Sequence, residues 1–318
     1  MVNRMTEFES SREDEAARAG WLYYVGGMTQ DQIANELGVS RQRAQRLVSR
    51  AVSEGLVRVR IEHKIGACLE LEAELVRRFG LQTARVAPSL GEAGDSARAT
   101  APLAATLLER ILARPDPQVI AFGTGRSLSA MVGEVMQRPA TEHKIVSLIG
   151  NIAPDGSASF YDVIMRMADK LRLPHYPMLA PVISETAEER ALFDHLKPVQ
   201  AVKKLASAAD ATFVGIGQMN DDAPIYKDRF ISLEELRELQ GAGAVGEIVG
   251  SFFNDEGQPV ETPLTARIGS YRIEGGREAP IIGIAAGTNK LAAIRGALSG
   301  KLVNALVTDE PTARALLG

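Results

Sequence analysis

The sequence predicts an α/β protein that carries a separate small head, a winged helix-turn-helix. Three observations carry that expectation. From Val119 onward, apolar runs recur in the 318-residue chain, each followed by a loop and in most cases a helical pattern, as in a mostly parallel sheet. The first sixty residues instead show helical periodicity broken by a cap and a glycine turn. Charge is also unevenly spread. The formal net charge is −4, yet six arginines between Arg41 and Arg60 face a single acid, Glu54.

In the head, Ala16, Ala19, Leu22 and Tyr23 give residues 12–26 one apolar face, and Gly26-Gly27 ends that helix. Thr29-Gln30-Asp31-Gln32 has the form of a capping box, in which hydroxyl and carboxamide each satisfy an orphan amide. Ile33 and Leu37 give the second helix its apolar side. Gly38-Val39-Ser40 is a tight turn, and Ser40 can cap a third helix whose core stripe is Ala44, Leu47, Val48 and Ala51. Gly55 stops that helix, and Leu56–Ile61 alternates apolar and basic residues as a wing strand would.

The third helix suits the major groove, where Arg reads guanine edges and Gln adenine edges. The expected DNA-contacting set is Ser40, Arg41, Gln42, Gln45, Arg46, Ser49 and Arg50, with Arg58 on the wing against phosphate. A helical hairpin with a solvated basic face is the alternative; any one of cap, turn, core stripe and exposed Arg/Gln face would fit it, but here all four coincide. The head is expected over residues 1–62 and the larger domain over 63–318. Between them, Cys68, Leu71, Leu75 and Phe79 recur at helical spacing over residues 64–79, a linker helix or a surface helix of the second domain. Cys68 reads as a small apolar residue.

In the larger part, strands are expected at 119–122, 145–149, 211–216, 281–285 and 303–307, and helices at 128–136, 291–298 and the C-terminus. Open α/β sheets bind ligands beyond the carboxyl ends of their strands. The loop Gly123-Thr124-Gly125-Arg126-Ser127 contains GxG, but Leu128 stands where a dinucleotide fingerprint needs its third glycine, and no GK[ST] follows. What remains is a loop opening a helix, with free amides, one guanidinium and two hydroxyls. It suits a phosphate, a carboxylate or polyol hydroxyls, or else it is a strand–helix turn that needs positive φ. Thr288 and Lys290 after Gly287 add a second polar helix start. Asp155, Asp162, Glu247 and Asp309 could each serve as acid or base, but Asp309 precedes Pro311 at a helix start, where an acid caps.

The composition, 45% hydrophobic and 24% charged, supports a sizeable core. No apolar run approaches the roughly 18–20 residues that span a bilayer, so a cytoplasmic protein without a membrane partner is expected. One cysteine and four scattered histidines exclude a disulfide framework and argue against a metal site. No cofactor and no catalytic residue is expected.

The chain resembles the SorC family of bacterial transcriptional regulators. The resemblance rests on the run Met28–Arg41, on Phe122-Gly-Thr-Gly-Arg-Ser-Leu128, on Val214-Gly-Ile-Gly217 and on Gly243-Ala-Val-Gly-Glu-Ile-Val-Gly250 with Phe252-Phe253. It continues in Gly283-Ile-Ala-Ala-Gly-Thr-Asn-Lys290 and Leu306–Ala313. It implies a head that binds operator double-stranded DNA, joined to a Rossmann-like effector domain similar to sugar-phosphate isomerases and glucosamine-phosphate deaminases. It further implies dimers or tetramers whose operator binding shifts with a sugar, polyol or sugar phosphate. By motif position, Gly123, Thr124, Gly125, Arg126 and Ser127, then Gly150 and Asn151, then Glu247 and Lys290 would face the effector. Arg126 and Asn151 depart from the pattern of relatives that bind phosphorylated sugars, which favours a free sugar or polyol. Ile152-Ala-Pro-Asp-Gly156 with Phe160-Tyr161 is similar to relatives from sugar-alcohol operons. The alternative is a sugar-phosphate isomerase or deaminase with an appended DNA-binding head, which a turnover assay would separate.

Overall fold

The structure is a computed structural model that describes residues 2–57, 65–91, 95–136, 142–153, 156–157 and 163–318, without the side chains of 2–12 and 151. It divides into two compact units, Met1–His63 and Lys64–Gly318. Arg58, Arg60, Asp155, Asp162 and Phe160-Tyr161 lie outside the described residues, and so does most of the expected wing.

The first unit holds α1 (Val2–Tyr24), α2 (Gln30–Leu37) and α3 (Arg41–Ser53). Helix α1 begins well before residue 12 because no glycine or proline precedes Gly20 to stop it. The expected capping box forms: the Thr29 Oγ1 accepts from the Gln32 amide at 3.4 Å, and the Gln32 carboxamide oxygen accepts from the Thr29 amide at 2.8 Å. Ser40 caps α3, its Oγ accepting from the Arg43 amide at 3.2 Å. Ala16, Ala19, Ile33, Ala44, Leu47, Val48 and Ala51 form the buried core. Tyr23 is not part of it; it is exposed, edge-on to Tyr24.

The second unit opens with α4 (Gly66–Phe79), β1 (Thr83–Ala87), α5 (Ser96–Leu112), β2 (Val119–Phe122) and α6 (Arg126–Glu134). Next come β3 (Lys144–Ile152), α7 (Val163–Leu171), β4 (His175–Pro181), α8 (Ala187–His195), α9 (Lys197–Ser207) and β5 (Ala211–Gly215). A smaller region follows, with β6 (Gly217–Gln218), α10 (Pro224–Lys227), α11 (Leu233–Gly241), β7 (Gly246–Ile248) and β8 (Ser251–Phe253). The chain ends with β9 (Ile281–Ile284), α12 (Leu291–Ser299), β10 (Ala305–Asp309) and α13 (Glu310–Leu317).

Seven parallel strands form one sheet in the order β1-β10-β9-β5-β2-β3-β4. Both faces are covered, so its central strands β2, β5 and β9 are largely apolar rather than alternating. Ala121 and Val214 face the layer of α4, α9, α12 and α13, whereas Ile120, Phe122 and Phe213 face α5, α6 and α7. Phe122 and Phe213 stack with centroids 5.6 Å apart across β2 and β5. Helix α4 packs through Cys68, Leu71 and Leu75 into this core, so it is a helix of the second unit. Strands β6, β7 and β8 form a small antiparallel sheet, an element the apolar runs do not announce.

Candidate functional site

In the first unit, the exposed face of α3 is the candidate nucleic-acid surface. Gln42, Gln45, Arg46 and Ser49 stand at i, i+3, i+4 and i+7, all exposed and opposite the buried Ala44, Leu47, Val48 and Ala51. Other members of the expected set have partners already. The Ser40 hydroxyl is the cap. Arg41 lies 3.4 Å from Asp31 and Arg50 lies 2.7 Å from Glu54, in exposed pairs that phosphate can displace cheaply. Arg46 makes no ion pair among the described residues.

In the second unit, the loops after β9, β5 and β2, three neighbours in the sheet, converge at its carboxyl edge on a cavity of about 360 Å³, with Ile149 of β3 also in the wall. Gly125 caps α6 with φ +114, a conformation open to glycine, and offers no side-chain cap. Thr124, Arg126 and Ser127 line the same corner, with Arg126 reaching Asp228 at 3.4 Å.

Glu247, from β7, enters over Gly217 of β6; a β-carbon on Gly217 would stand 2.4 Å from the Glu247 Oε1, so the close approach requires glycine. The other oxygen, Oε2, accepts from the Gly250 amide at 3.0 Å. Lys290 ends the helical turn after Gly287 and donates from Nζ to the Ile216 carbonyl at 3.0 Å. Burial pushes the Glu247 carboxyl above the usual carboxylate range, an effect that the Gly250 amide and the Lys290 charge only partly offset. Burial lowers the Lys290 ammonium, the Glu247 charge opposes that shift, and Arg126 adds to it.

Of the expected effector set, Thr124, Gly125, Arg126, Ser127, Glu247 and Lys290 therefore share one wall. Gly123 and Gly150 do not line it. Gly123 is buried among Val249, Val214 and Leu128, where a β-carbon would press on Val249 at 3.2 Å, and Gly150 sits against the Ala180 and Pro181 carbonyls of β4. The backbone of Asn151 continues β3, and its side chain is outside the described residues.

Sequence reasoning missed Asp95, Ser96, Asp222, Asp228 and Asn289 in the lining. Asp95 carries a readable signal, since it caps α5. Asp228 carries none, because its meeting with Arg126 spans 102 residues of chain. An adjoining hollow of about 410 Å³ shares Asp95, Ser96, Gly287 and Asn289 but has no basic residue in its wall among the described residues. Asp309, buried beside it, caps α13 through the Thr312 amide and accepts from Ser96 Oγ. Among the described residues no group of side chains could hold a metal ion, and no helix is long and apolar enough to cross a membrane.

A helix-turn-helix head and a ligand-sized cavity at the carboxyl edge of an α/β sheet define a class, the transcriptional regulator that senses a small molecule. Residues 63–318 match the Sugar-bind family, a sugar-binding domain, and residues 19–63 match the MarR family. The erythritol catabolism regulatory protein EryD of Brucella abortus is 37% identical over 303 residues, covering 95% of this chain and 96% of its own. The transcriptional regulator LsrR of Klebsiella pneumoniae is 34% identical, covering 99% and 96%. The crystal structure of the full-length sorbitol operon regulator SorC from Klebsiella pneumoniae superposes with a TM-score of 0.72 at 29% identity, covering 96% of this chain and 99% of that one. The chain belongs to the SorC-type family of sugar-binding transcriptional regulators. Its relatives are regulators, not enzymes, which removes the isomerase alternative.

Proposed function

We propose that this regulator binds operator double-stranded DNA as a homo-oligomer, through α3 and the segment that follows it. In this reading a neutral polyol or free sugar, bound in the 360 Å³ cavity, changes that binding. The observation that carries the choice of ligand is the charge of the wall. Asp95, Asp222, Asp228 and Glu247 stand against Arg126 and Lys290, and each of these two cations already faces a carboxylate. A dianionic phosphate would enter a wall richer in acids than in bases. Hydroxyls, by contrast, can donate to the carboxylates and accept from Lys290 and from the Thr124 and Ser127 corner of the wall. The name of the 37% identical relative, which regulates erythritol catabolism, supports the polyol reading.

The test is an operator fragment titrated with the protein in the presence of erythritol, sorbitol and a phosphate ester of each. The reading expects the neutral polyols to shift operator affinity and the esters to act more weakly. A response confined to the esters overturns it.

A further inference from the structure

Val249 stands in the cavity wall on a backbone it should avoid. Ile248 of β7 pairs with Ser251 of β8, so the turn between them consists of Val249 and Gly250 alone. Both are left-handed, with φ +54 and +73. A two-residue turn of that kind favours Asn followed by Gly. The glycine is in place, but its companion is β-branched, which makes this φ a genuine outlier. Such strain persists where the surroundings over-determine it, and it gathers at ligand sites.

The surroundings here are specific. Val249 is buried, and its Cγ2 would stand 3.2 Å from a β-carbon on Gly123, so the isopropyl group fills the space beside the loop that opens α6. On the other side of the turn, the Gly250 amide donates to the Glu247 Oε2. Two parts of the wall, far apart in sequence, thus meet on one strained residue.

We infer that Val249 is a positioning residue for the ligand cavity. Its isopropyl group braces the Gly123–Ser127 loop, and its turn aims the Gly250 amide at the Glu247 carboxylate. The inference rests on the cavity being the effector site and adds what holds that site in shape.

The test compares Val249→Ala, Val249→Gly and Val249→Thr in the full chain by melting, by hydrogen exchange and by release from an operator fragment with erythritol as the probe. Glycine relieves a left-handed backbone and alanine does not, so Val249→Gly should melt higher than Val249→Ala by about a few degrees, the reverse of the usual order in regular structure. Both variants should lose exchange protection over residues 122–128. Both should need at least about tenfold more erythritol for the same release, while Val249→Thr, of the same shape, stays within about threefold of the parent. Alanine melting at or above glycine, unchanged exchange over 122–128, or an unchanged erythritol titration would each overturn the inference. If the unsubstituted protein ignores erythritol, the polyol reading fails, whereas the melting order and the exchange still decide the role of Val249.

Discussion

At the scale of single residues, Glu247 and Lys290 act as a coupled pair at the edge of water. Neither is comfortable alone, because the cavity wall withholds solvent from both charges. Lys290→Met should abolish the ligand response while leaving ligand-free operator binding unchanged, since α3 belongs to the other unit. It should also cost on the order of 1–3 kcal/mol of stability, because the carboxylate loses its counter-charge, and Glu247→Gln added to it should return part of that loss in a denaturant titration.

The pair also sets a pH dependence. A carboxyl whose pKa in the folded chain lies above its ordinary value of 4.5 favours folding at acid pH and loses that contribution as pH rises from 4.5 through the folded value. The ligand, however, needs the ionised acceptor. The response should therefore weaken on acidification while the pH is still above 4.5, and Glu247→Gln should flatten that profile in an operator-release assay. A parent profile that is flat down to pH 4.5 would remove Glu247 from the ligand's contacts.

At the scale of elements, α3 presents one stripe to the groove and one to the core. Arg46→Ala should weaken specific binding by about 1–3 kcal/mol if its guanidinium reaches a base. Arg58→Ala should weaken binding to every sequence alike and flatten the salt slope, as loss of a phosphate contact does. Fluorescence anisotropy with operator and scrambled duplexes at several salt concentrations separates the two. Elements such as α3 are legible in sequence because their signals are local: a cap at Thr29 or Ser40, a stripe of period 3.6, a glycine stop. The strands β2, β5 and β9 are legible because both their faces are buried and the chain is apolar residue after residue. Strand β4 escaped because it lies at the sheet edge with Leu179 exposed, so its run of residues mixes polar and apolar types. The small sheet escaped because its strands are two or three residues long. The same holds for the site. Loop and helix-start residues could be picked out locally, but the meeting of Arg126 with Asp228, or of Val249 with Gly123, exists only once the fold has brought distant loops together.

At the scale of the whole molecule, operator affinity and ligand coupling each set a requirement. One head offers the short stripe Gln42, Gln45, Arg46 and Ser49 on α3 and the segment beyond it, too few base contacts for a specific site in a genome. Pairing two heads on a two-fold operator squares the discrimination, and it is the usual arrangement for this motif. The protein should therefore run as a dimer or tetramer in light scattering at micromolar concentration, and a monomer both free and on operator would contradict the proposed assembly. Ligand control sets a second requirement. A polyol can alter operator binding only by its differential affinity for two states of the assembly, and such couplings are typically about 1–3 kcal/mol. By reciprocity, operator DNA must shift the polyol affinity by the same factor, about 5- to 150-fold. Calorimetric titration of erythritol into the free protein and into the protein–operator complex measures that factor directly. Equal affinities in the two titrations would mean that the cavity binds its ligand without informing the head.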